Sequence, residues 1–388
     1  MIYLDSASTT PVDPQVVEAM MPYLTEQYGN PGTIYSFGRK AKNAVEKARA
    51  QVADLIGAKP EQIIFTSGGT EANNMVFFST ADKLKANGKT HIISTKYEHD
   101  SVLKAIKELC IKRGFHSDLV SPNAQGVVDL QEIVGKINEK TGIVSVMFVN
   151  NEVGSENAVS DIAELCKSHN VLFHTDCVQA VSSHRIDVSK IGCDFASFSA
   201  HKIHGIKGAG ALFVRDIENL SPLIHGGSSQ EFGLRGGTEN VPAIVGFGAA
   251  CEITKRELHE SDVKTSVFKQ NFYTALTEEL KRFGLGSIVH INGDLIIKHG
   301  KILNIRFDGV DGETLLLMLD AKDICVSAGS ACRSQESEPS RVLLSMGIEP
   351  EDARNSIRVS FSKMNTEEEV YTAAKIMADC VRILHHSE

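Results

Sequence analysis

The sequence has no long hydrophobic run and no excess of positive charge. No apolar run reaches the roughly 18 residues that are needed to cross a bilayer, which excludes a transmembrane helix. The first residues, MIYLDSASTTP, contain neither the basic segment nor the apolar stretch of a signal peptide. The net charge of −9 argues against a protein that binds nucleic acid through bulk electrostatics. We therefore expect a cytoplasmic protein that binds neither a membrane nor, directly, nucleic acid.

Closely spaced cysteine pairs are also missing. No two of the eight cysteines are separated by two residues, so the sequence has neither a zinc knuckle nor a thioredoxin-like pair. In the reducing compartment that we expect for this chain, all of the thiols should be free. We expect no metal site.

The order of the apolar segments predicts the fold class. Between about residues 60 and 215, short runs that are apolar on both faces alternate with amphipathic helical stretches. Such an alternation is typical of an open, mainly parallel α/β sheet flanked by helices. The predicted strands lie in QIIFTSGG, HIIST, IVSVMFVNN, VLFHTD, DFASFSA and GAGALFV.

The pattern changes after about residue 255. A long charged helix, predicted over residues 255–284, leads into the segments KILNIRF, GETLLLMLDA, DICVSAG and SIRVSF. With 388 residues the chain is long enough for two domains. We predict a large domain over residues 16–255 and a smaller α+β domain formed by residues 1–15 and 256–388.

Polar residues that follow the predicted strands are candidates for a ligand site, because ligands in such sheets bind at the carboxyl ends of strands. Taken one at a time, each has an ordinary explanation as a helix cap, a turn or a solvated loop residue. These residues are Gly69 and Thr70, His99, Asn151, Asp176 and Gln179, and Lys202.

Together, these residues match the needs of one cofactor. Gly69 and Thr70 open a predicted helix, where unpaired amides form an anion-binding cup. Lys202 offers an amine for a Schiff base, and Asp176 offers a carboxylate that keeps a pyridine nitrogen protonated. This combination at the ends of one parallel sheet indicates pyridoxal 5'-phosphate.

The chain resembles the cysteine desulfurases of the NifS/IscS type, which are fold-type I, aminotransferase-like pyridoxal phosphate enzymes. The resemblance implies a homodimer that converts L-cysteine to L-alanine and passes the sulfur, through an enzyme cysteine, to an acceptor protein. It runs essentially from end to end and rests on the ordered motifs YLDSASTTP, YGNPGTIYSFGRKA, TSGGTEANN, YEHDSV, VNNEVG, HTDCVQA, SAHKIHGIKGAGAL, RGGTENVPAIVG, SAGSACRS, EPSRVL and SIRVSF.

The resemblance also implies a role for each site residue. Lys202 binds the cofactor covalently, Asp176 pairs with its pyridine nitrogen, and Gln179 bonds its phenolic oxygen. His99 stacks on the ring and assists proton transfer. Asn151 contacts the cofactor and, with Arg358, receives the substrate carboxylate. The phosphate is held by Gly69, Thr70, Ser199 and His201, together with Thr238 from the neighbouring subunit.

Cys332 is the nucleophile that the resemblance implies. Its segment, SAGSACRSQES, has almost no apolar residue against which a structural thiol packs. We expect residues from about 329 to 339 to form a mobile, exposed loop. The reason is that the thiol must reach the substrate sulfur and then present a persulfide to a protein outside the pocket.

The sequence departs from the family pattern at several places around the substrate entrance. Tyr35 stands where the family usually has histidine, NPGT at 30–33 replaces NPSS, and Ser8 replaces the usual alanine. These departures bear on the choice of acceptor rather than on the chemistry. Iron–sulfur cluster assembly, tRNA thiolation and DNA phosphorothioate modification all draw on this family.

Three other functions compete with desulfuration. Selenocysteine lyase and aminotransferase reactions use the same cofactor, but a plain aminotransferase has no need of Cys332. A catalytically inactive scaffold that binds a sulfur-transfer partner is the third alternative. It would be favoured if Lys202, Cys332 or Arg358 were replaced, and all three are present.

Overall fold

A computed structural model of the chain describes residues 1–227, 229–294, 300–328 and 338–385. Cys332 and residues 329–337 of its predicted loop lie outside the described residues. The strands are β1 (Ile2–Tyr3), β2 (Ile63–Thr66), β3 (His91–Thr95), β4 (His116–Val120), β5 (Thr141–Ser145), β6 (Leu172–Asp176), β7 (Phe195–Ser199), β8 (Gly210–Val214), β9 (Val289–Ile291), β10 (Ile302–Phe307), β11 (Ile324–Cys325) and β12 (Ser356–Ser360).

Helices connect most of these strands, and none of the described helices is both long and apolar enough to span a bilayer. The helices are α1 (Pro14–Thr25), α2 (Ser36–Ile56), α3 (Gly69–Ala86), α4 (Asp100–Arg113), α5 (Leu130–Val134), α6 (Val159–Ser168), α7 (Val188–Ile191), α8 (Val241–Arg282), α9 (Gly312–Asp320), α10 (Arg341–Ser345), α11 (Pro350–Arg354) and α12 (Glu367–His385).

The largest sheet confirms the predicted α/β class. Its seven strands lie in the order β2-β8-β7-β6-β5-β3-β4. Strand β8 is antiparallel to β2 and β7, and the other neighbouring pairs are parallel. Ile63 and Phe65 of β2 enter one apolar cluster, and Ile64 enters another. Both faces of the sheet are therefore covered, which explains why its strands read as continuous apolar runs.

Smaller sheets accompany a separate apolar core in the C-terminal part. Strands β12, β10 and β9 form an antiparallel sheet in that order, and β1 pairs with β11 in parallel. The side chains of this core come from β10, β12, α9, α12 and the second half of α8, with Leu4 from the N-terminus. The division into domains at 255/256 remains a proposal, since α8 runs through that position.

Two predicted element boundaries in this part of the chain are wrong. Helix α8 begins at Val241, where Asn240 caps it by accepting from the Ala243 amide, and not at about residue 255. Its first half, VPAIVGFGAACEIT, is largely buried and lacks the charged stripe that marks its second half. The predicted strand DICVSAG is reduced to Ile324–Cys325, the two residues that pair with β1.

The N-terminal segment links the small sheets to the end of β7. The Leu4 amide donates to the Cys325 carbonyl at 2.9 Å, and Asp5 forms a bridge with Ser360. Further along, the Thr10 amide donates to the His201 carbonyl at 3.0 Å. Residues 5–8 are thereby placed at the carboxyl edge of the large sheet.

Candidate active site

A solvent-connected cleft of about 880 Å³ lies where the carboxyl ends of the large-sheet strands meet the N-terminal segment and β12. This is the position expected for a ligand site in an open α/β sheet. The predicted residues that line it are Gly69, Thr70, His99, Asn151, Asp176, Gln179, Ser199, His201, Lys202 and Arg358. Thr238 does not line the cleft and is exposed on the surface of its own chain.

Asp176 ends β6, and its buried carboxylate is held by two donors. The Val178 amide donates to Oδ1 at 2.9 Å, and the Asn73 side-chain amide donates to Oδ2 at 2.7 Å. Asn73 lies in α3, one turn after Gly69, and its role was not predicted. The one feature of the sequence that could have indicated this role is the position of Asn73, a side-chain amide near the start of the predicted helix that begins at the cleft.

His99 caps α4 with its own side chain. Its Nδ1 atom accepts from the Ser101 amide at 3.1 Å and lies 2.7 Å from Ser101 Oγ. Because Nδ1 accepts, the ring hydrogen is carried by Nε2. Ser101 Oγ in turn accepts from Asn73 at 2.9 Å, so that Asn73 connects His99 to Asp176. This network fixes the orientation of both groups.

Lys202 lies in a 3-10 turn, Ala200–Lys202, directly after β7. Its amine donates to the carbonyl oxygens of Ala7 and Ser8, the latter at 2.8 Å. A lysine that was predicted from the large-sheet pattern is thus held by the N-terminal segment. Ala7 and Ser8 also line the cleft, and no local pattern in the sequence indicates this contact.

Arg358 lies on β12, and only 1 % of its surface is exposed. Its Nη2 atom donates to Asp5 Oδ1 at 2.8 Å and to Ser8 Oγ at 2.7 Å, and Nη1 donates to the Asn151 carbonyl at 2.8 Å. Both Nη2 hydrogens are therefore used within the protein. A carboxylate bound beside them meets one remaining Nη1 hydrogen and the hydroxyl of Ser8, so a simple two-pronged contact with Arg358 is not available in this arrangement.

The start of α3 lies at the cleft, where the sequence predicts an anion cup. Gly68, which precedes it, has a φ of +153°, a conformation that favours glycine. A Cβ atom at Gly69 would lie 2.7 Å from Val178 Cγ2, so a larger residue here would displace the Val178 side chain, which also lines the cleft. Glu71 in this turn is paired with Arg235 at 2.9 Å, which offsets the negative charge of Glu71 beside the start of the helix.

His201 lines the same cleft as the start of α3. Burial, together with the positive charges of Lys202, Lys207 and Lys301, lowers the pKa of its imidazole to about 4. The ring is therefore neutral near pH 7, and its Nδ1 atom lies 3.1 Å from Thr9 Oγ1. A neutral imidazole contributes hydrogen bonds to a phosphate rather than charge.

Comparison with known proteins identifies the family. The model of the aminotransferase class-V family matches residues 2–372. A cysteine desulfurase IscS from Methanosarcina thermophila is 39 % identical over 385 residues, which cover 99 % of this chain and 93 % of the relative. The chain belongs to the cysteine desulfurase family.

Solved structures agree with this assignment. A NifS-like protein superimposes with a TM-score of 0.88 at 37 % identity and covers 97 % of this chain and 98 % of its own. A structure of SspA in complex with cysteine gives a TM-score of 0.78 at 31 % identity, with 94 % of this chain and 100 % of the other covered. The fold is therefore that of the fold-type I enzymes, as predicted, and cysteine desulfurases of this kind depend on pyridoxal phosphate.

The cleft of this cysteine desulfurase fits that cofactor. The glycine-lined helix start suits a phosphate, the buried Asp176 carboxylate suits a protonated ring nitrogen, and the Lys202 amine suits an aldehyde. Gln179 supplies a further sign of a polar ligand. Its Oε1 atom is buried in the described part of the chain without a hydrogen-bond partner, although the side chain lines the cleft.

Proposed function

We propose that this cysteine desulfurase converts L-cysteine to L-alanine and transfers the sulfur to Cys332, from which an acceptor protein takes it. The observation that carries the proposal is the convergence of Lys202, Asp176, His99 and Arg358 in one cleft. These four groups provide an amine, a carboxylate, an imidazole and a guanidinium within reach of one small amino acid.

Bound pyridoxal phosphate would supply an electron sink for the pair of electrons left at the substrate Cα. Asp176, oriented by Asn73 and Val178, would keep the ring nitrogen protonated. Lys202 would hold the cofactor and then, once the substrate displaces it, remove the Cα proton. His99, fixed by Ser101, would assist with proton transfer from Nε2.

Binding of the phosphate and of the substrate carboxylate would use the two ends of the cleft. The amides and hydroxyl of Gly69 and Thr70, with Ser199 and His201, would hold the phosphate. Thr238 is exposed on its own chain, which suits the proposal that it completes the site of the second subunit in a homodimer. Arg358 and Asn151 would hold the substrate carboxylate.

The sulfur transfer balances without an external oxidant. The Cys332 thiolate would attack the substrate sulfur, so that an S–S bond forms as the Cβ–S bond breaks. The electrons of the broken bond remain with the carbon skeleton, which takes up protons to become alanine. The net change is one cysteine and one enzyme thiol to one alanine and one enzyme persulfide.

The experiment is to incubate the holoenzyme with L-cysteine and measure alanine together with the mass of the Cys332 peptide. We expect alanine and one extra sulfur on that peptide, and neither in Cys332→Ser. Cys325→Ser is a matched control, because Cys325 is the partly exposed thiol on β11 nearest in sequence to Cys332. Extra sulfur on Cys325, full turnover in Cys332→Ser, or no alanine at all would refute the proposal, the last result favouring an inactive scaffold.

The acceptor is proposed to be a protein with a free thiol. The persulfide-bearing enzyme, labelled with ³⁵S, is to be mixed with purified acceptors from iron–sulfur assembly, tRNA thiolation and DNA phosphorothioate modification. We expect the label to move to one of the three much faster than to the others. Equal, slow transfer to all three, no faster than to free dithiothreitol, would contradict a dedicated protein acceptor.

A further inference from the structure

The turn that carries His99 is held by a residue from the C-terminal part of the chain. This residue is Arg341, the first residue of α10, and its guanidinium donates to three acceptors of the turn. Nη1 donates to the Lys96 carbonyl, and Nη2 donates to the Glu98 carbonyl at 2.7 Å and to Asp100 Oδ1 at 3.0 Å. The acceptors lie on both sides of His99 in the sequence, so Arg341 spans the residue that caps α4.

The helix behind Arg341 is firmly anchored. Val342 and Leu343 of α10 are buried in the apolar core of the large sheet, and Ser340 caps the helix by accepting from the Leu343 amide at 3.2 Å. A planar guanidinium that binds several acceptors at once fixes their relative positions, which a flexible point charge does not. Arg341 is therefore suited to set the geometry of the turn that it binds.

The turn is also held from the interior, but only on one side of His99. The side chains of Tyr97 and Glu98 are fully buried, and each is hydrogen-bonded within the core. These interior contacts fix the residues before His99. The contacts of Arg341 join those residues to Asp100, the first residue of α4.

The direction of the His99 imidazole depends on this first turn of α4. Its Nδ1 atom accepts from the Ser101 amide at 3.1 Å, so the ring moves with the backbone of the turn. Asp100 lies between the two residues, and its carboxylate is bound by Arg341. A shift of the turn would therefore move His99 Nε2, and a displacement of about 1 Å at a reacting group can slow a reaction by about 10²-fold.

We propose that Arg341 is a positioning residue, which holds residues 96–100 so that the His99 imidazole is aligned for proton transfer. The inference rests on the proposed function, in which His99 assists proton transfer. Arg341 is not among the described residues that line the cleft, so its effect must pass through the turn. Its loss should slow the chemical step and leave the binding of cofactor and substrate close to unchanged, because other groups bind them.

The test measures alanine formed in the first turnover of the holoenzyme at a series of L-cysteine concentrations, with pyridoxal phosphate at saturation. In Arg341→Met, we expect the maximal rate to fall by about tenfold and the half-saturating concentration to stay within about twofold of the wild type. Arg306→Met is the matched control. Arg306 is exposed to a similar extent, 25 % against 29 %, and pairs with Asp352 at 2.9 Å without lining the described part of the cleft. Its maximal rate should stay within about twofold of the wild type.

A double-mutant cycle separates positioning from a general loss of stability. His99→Gln removes the proposed proton-transfer group and should slow the first turnover by about 10²-fold. If Arg341 acts through His99, adding Arg341→Met to His99→Gln should cost less than about a further twofold. Arg341→Lys keeps a charge beside Asp100 but has no planar fork, so it should lose about threefold. It also allows the same cycle if Arg341→Met does not fold.

A second readout needs neither cofactor nor substrate. Amide hydrogen exchange, followed by mass spectrometry on the full-length protein, reports on the peptide that contains the start of α4, where the Ser101 amide donates to His99. In Arg341→Met, we expect exchange of this peptide to become about tenfold faster, because the turn opens more often. In Arg306→Met it should remain at the wild-type rate.

The outcomes distinguish the two proposals. Unchanged exchange in folded Arg341→Met, or a tenfold loss of turnover that persists in the His99→Gln background, would overturn the role of Arg341 and leave the proposed function in place. Full turnover in His99→Gln would instead overturn the role of His99 in the proposed function. A wild-type protein that forms no alanine would overturn the proposed function itself.

Discussion

The two walls of the cleft are built in different ways. The sheet wall carries most of its polar groups at or just after the ends of strands. Most of its hydrogen bonds join close neighbours in sequence, as in Val178 to Asp176 and Ser101 to His99, and Asn73 to Asp176 is a longer-range exception. The N-terminal wall consists of Ala7, Ser8 and Arg358, and Arg358 is paired with Asp5. Its contacts join residues 350 or more positions apart, such as Arg358 to Ser8.

This difference suggests a division of labour. Local turns fix the groups that we propose for proton transfer, because a small shift in them would misalign the reacting atoms. The N-terminal wall combines Arg358 with Ser8, which departs from the family pattern. We therefore expect changes in this wall to alter the affinity for the substrate. Lys202 lies between the two, since its backbone belongs to the sheet wall and its amine donates to Ala7 and Ser8 of the N-terminal segment.

The largest effect is expected on the sheet wall. Lys202→Ala removes the proposed base and the covalent anchor at once, so alanine production should fall by at least about 10²-fold and the visible band should be lost. Lys207→Ala, on the exposed part of the same loop, should retain both. A Lys202→Ala protein that keeps the band and most of its turnover would show that another amine does the work.

The same contrast explains how much was predictable from the sequence. Strands with buried faces have a recognisable pattern, and their carboxyl ends share one edge of the sheet, so Asp176, His99 and Lys202 were found from local sequence. Asn73 was missed because an amide within a helix looks the same whether it faces solvent or a carboxylate.

The N-terminal wall was less accessible to prediction. The pairing of β1 with β11 and the bridge from Asp5 to Ser360 bring together opposite ends of the chain, and no periodicity in the sequence encodes such a contact. Ser8 was noticed as a departure, but its bond to Arg358 was not. The burial of Lys301 was not predicted, since it depends on the crevice that Lys301 and Lys202 line together.

The next effect tests the N-terminal wall. Arg358→Ala removes the charge-assisted hydrogen bond that we propose Nη1 donates to the substrate carboxylate, and should weaken cysteine binding by about 1.5–3 kcal/mol. We expect KM for L-cysteine to rise by at least about tenfold while the cofactor band persists. Because Arg358 is buried, Arg358→Lys is needed beside it as a variant that keeps a charge. An unchanged KM in Arg358→Ala would show that Arg358 does not bind the substrate carboxylate.

A further effect, on stability, concerns Lys301, a buried lysine that immediately precedes β10 and whose amine donates to the main-chain carbonyl of Lys202. Its folded-state pKa of about 7 lies below its ordinary value of 10.5. Between these two pH values the unfolded chain binds more protons at Lys301 than the folded chain does, so the contribution of Lys301 to the free energy of unfolding rises with pH. Below pH 7 the lysine is protonated in both states, and the folded protein bears the full cost of burying its charge. Lys301→Met should therefore stabilise the protein below pH 7, by roughly 3–5 kcal/mol, because lowering a pKa by one unit corresponds to about 1.4 kcal/mol. The gain should fade as the pH rises towards 10.5.

Denaturant unfolding of the wild type and of Lys301→Met at several pH values measures this difference directly. Lys207→Met, at an exposed position, should show no pH-dependent gain. A Lys301→Met protein that is less stable than the wild type at pH 6 would mean that the lysine is stabilised by its surroundings, contrary to the direction of its pKa.

The smallest effect concerns Ser8, the point at which the N-terminal wall departs from the family. Ser8 Oγ accepts from Arg358 Nη2 at 2.7 Å and so keeps its own hydrogen for another acceptor. Since Asp5 and Ser8 use both Nη2 hydrogens, a substrate carboxylate would bind to Arg358 Nη1 and to this hydroxyl. Ser8→Ala should then raise KM for L-cysteine by a few-fold, corresponding to about 0.5–1.5 kcal/mol, with kcat unchanged.

Ser8→Thr retains the hydroxyl and should restore most of the affinity, which separates a hydrogen bond from a change in packing. The opposite sign would be equally informative. If KM falls in Ser8→Ala, the carboxylate displaces Ser8 from Nη2 when it binds, and the serine competes with the substrate for Arg358. In that case the substrate carboxylate accepts two hydrogen bonds from the Arg358 guanidinium. Ser8 then occupies Nη2 only in the free enzyme and lowers the affinity for cysteine, and it is not a second donor to the carboxylate.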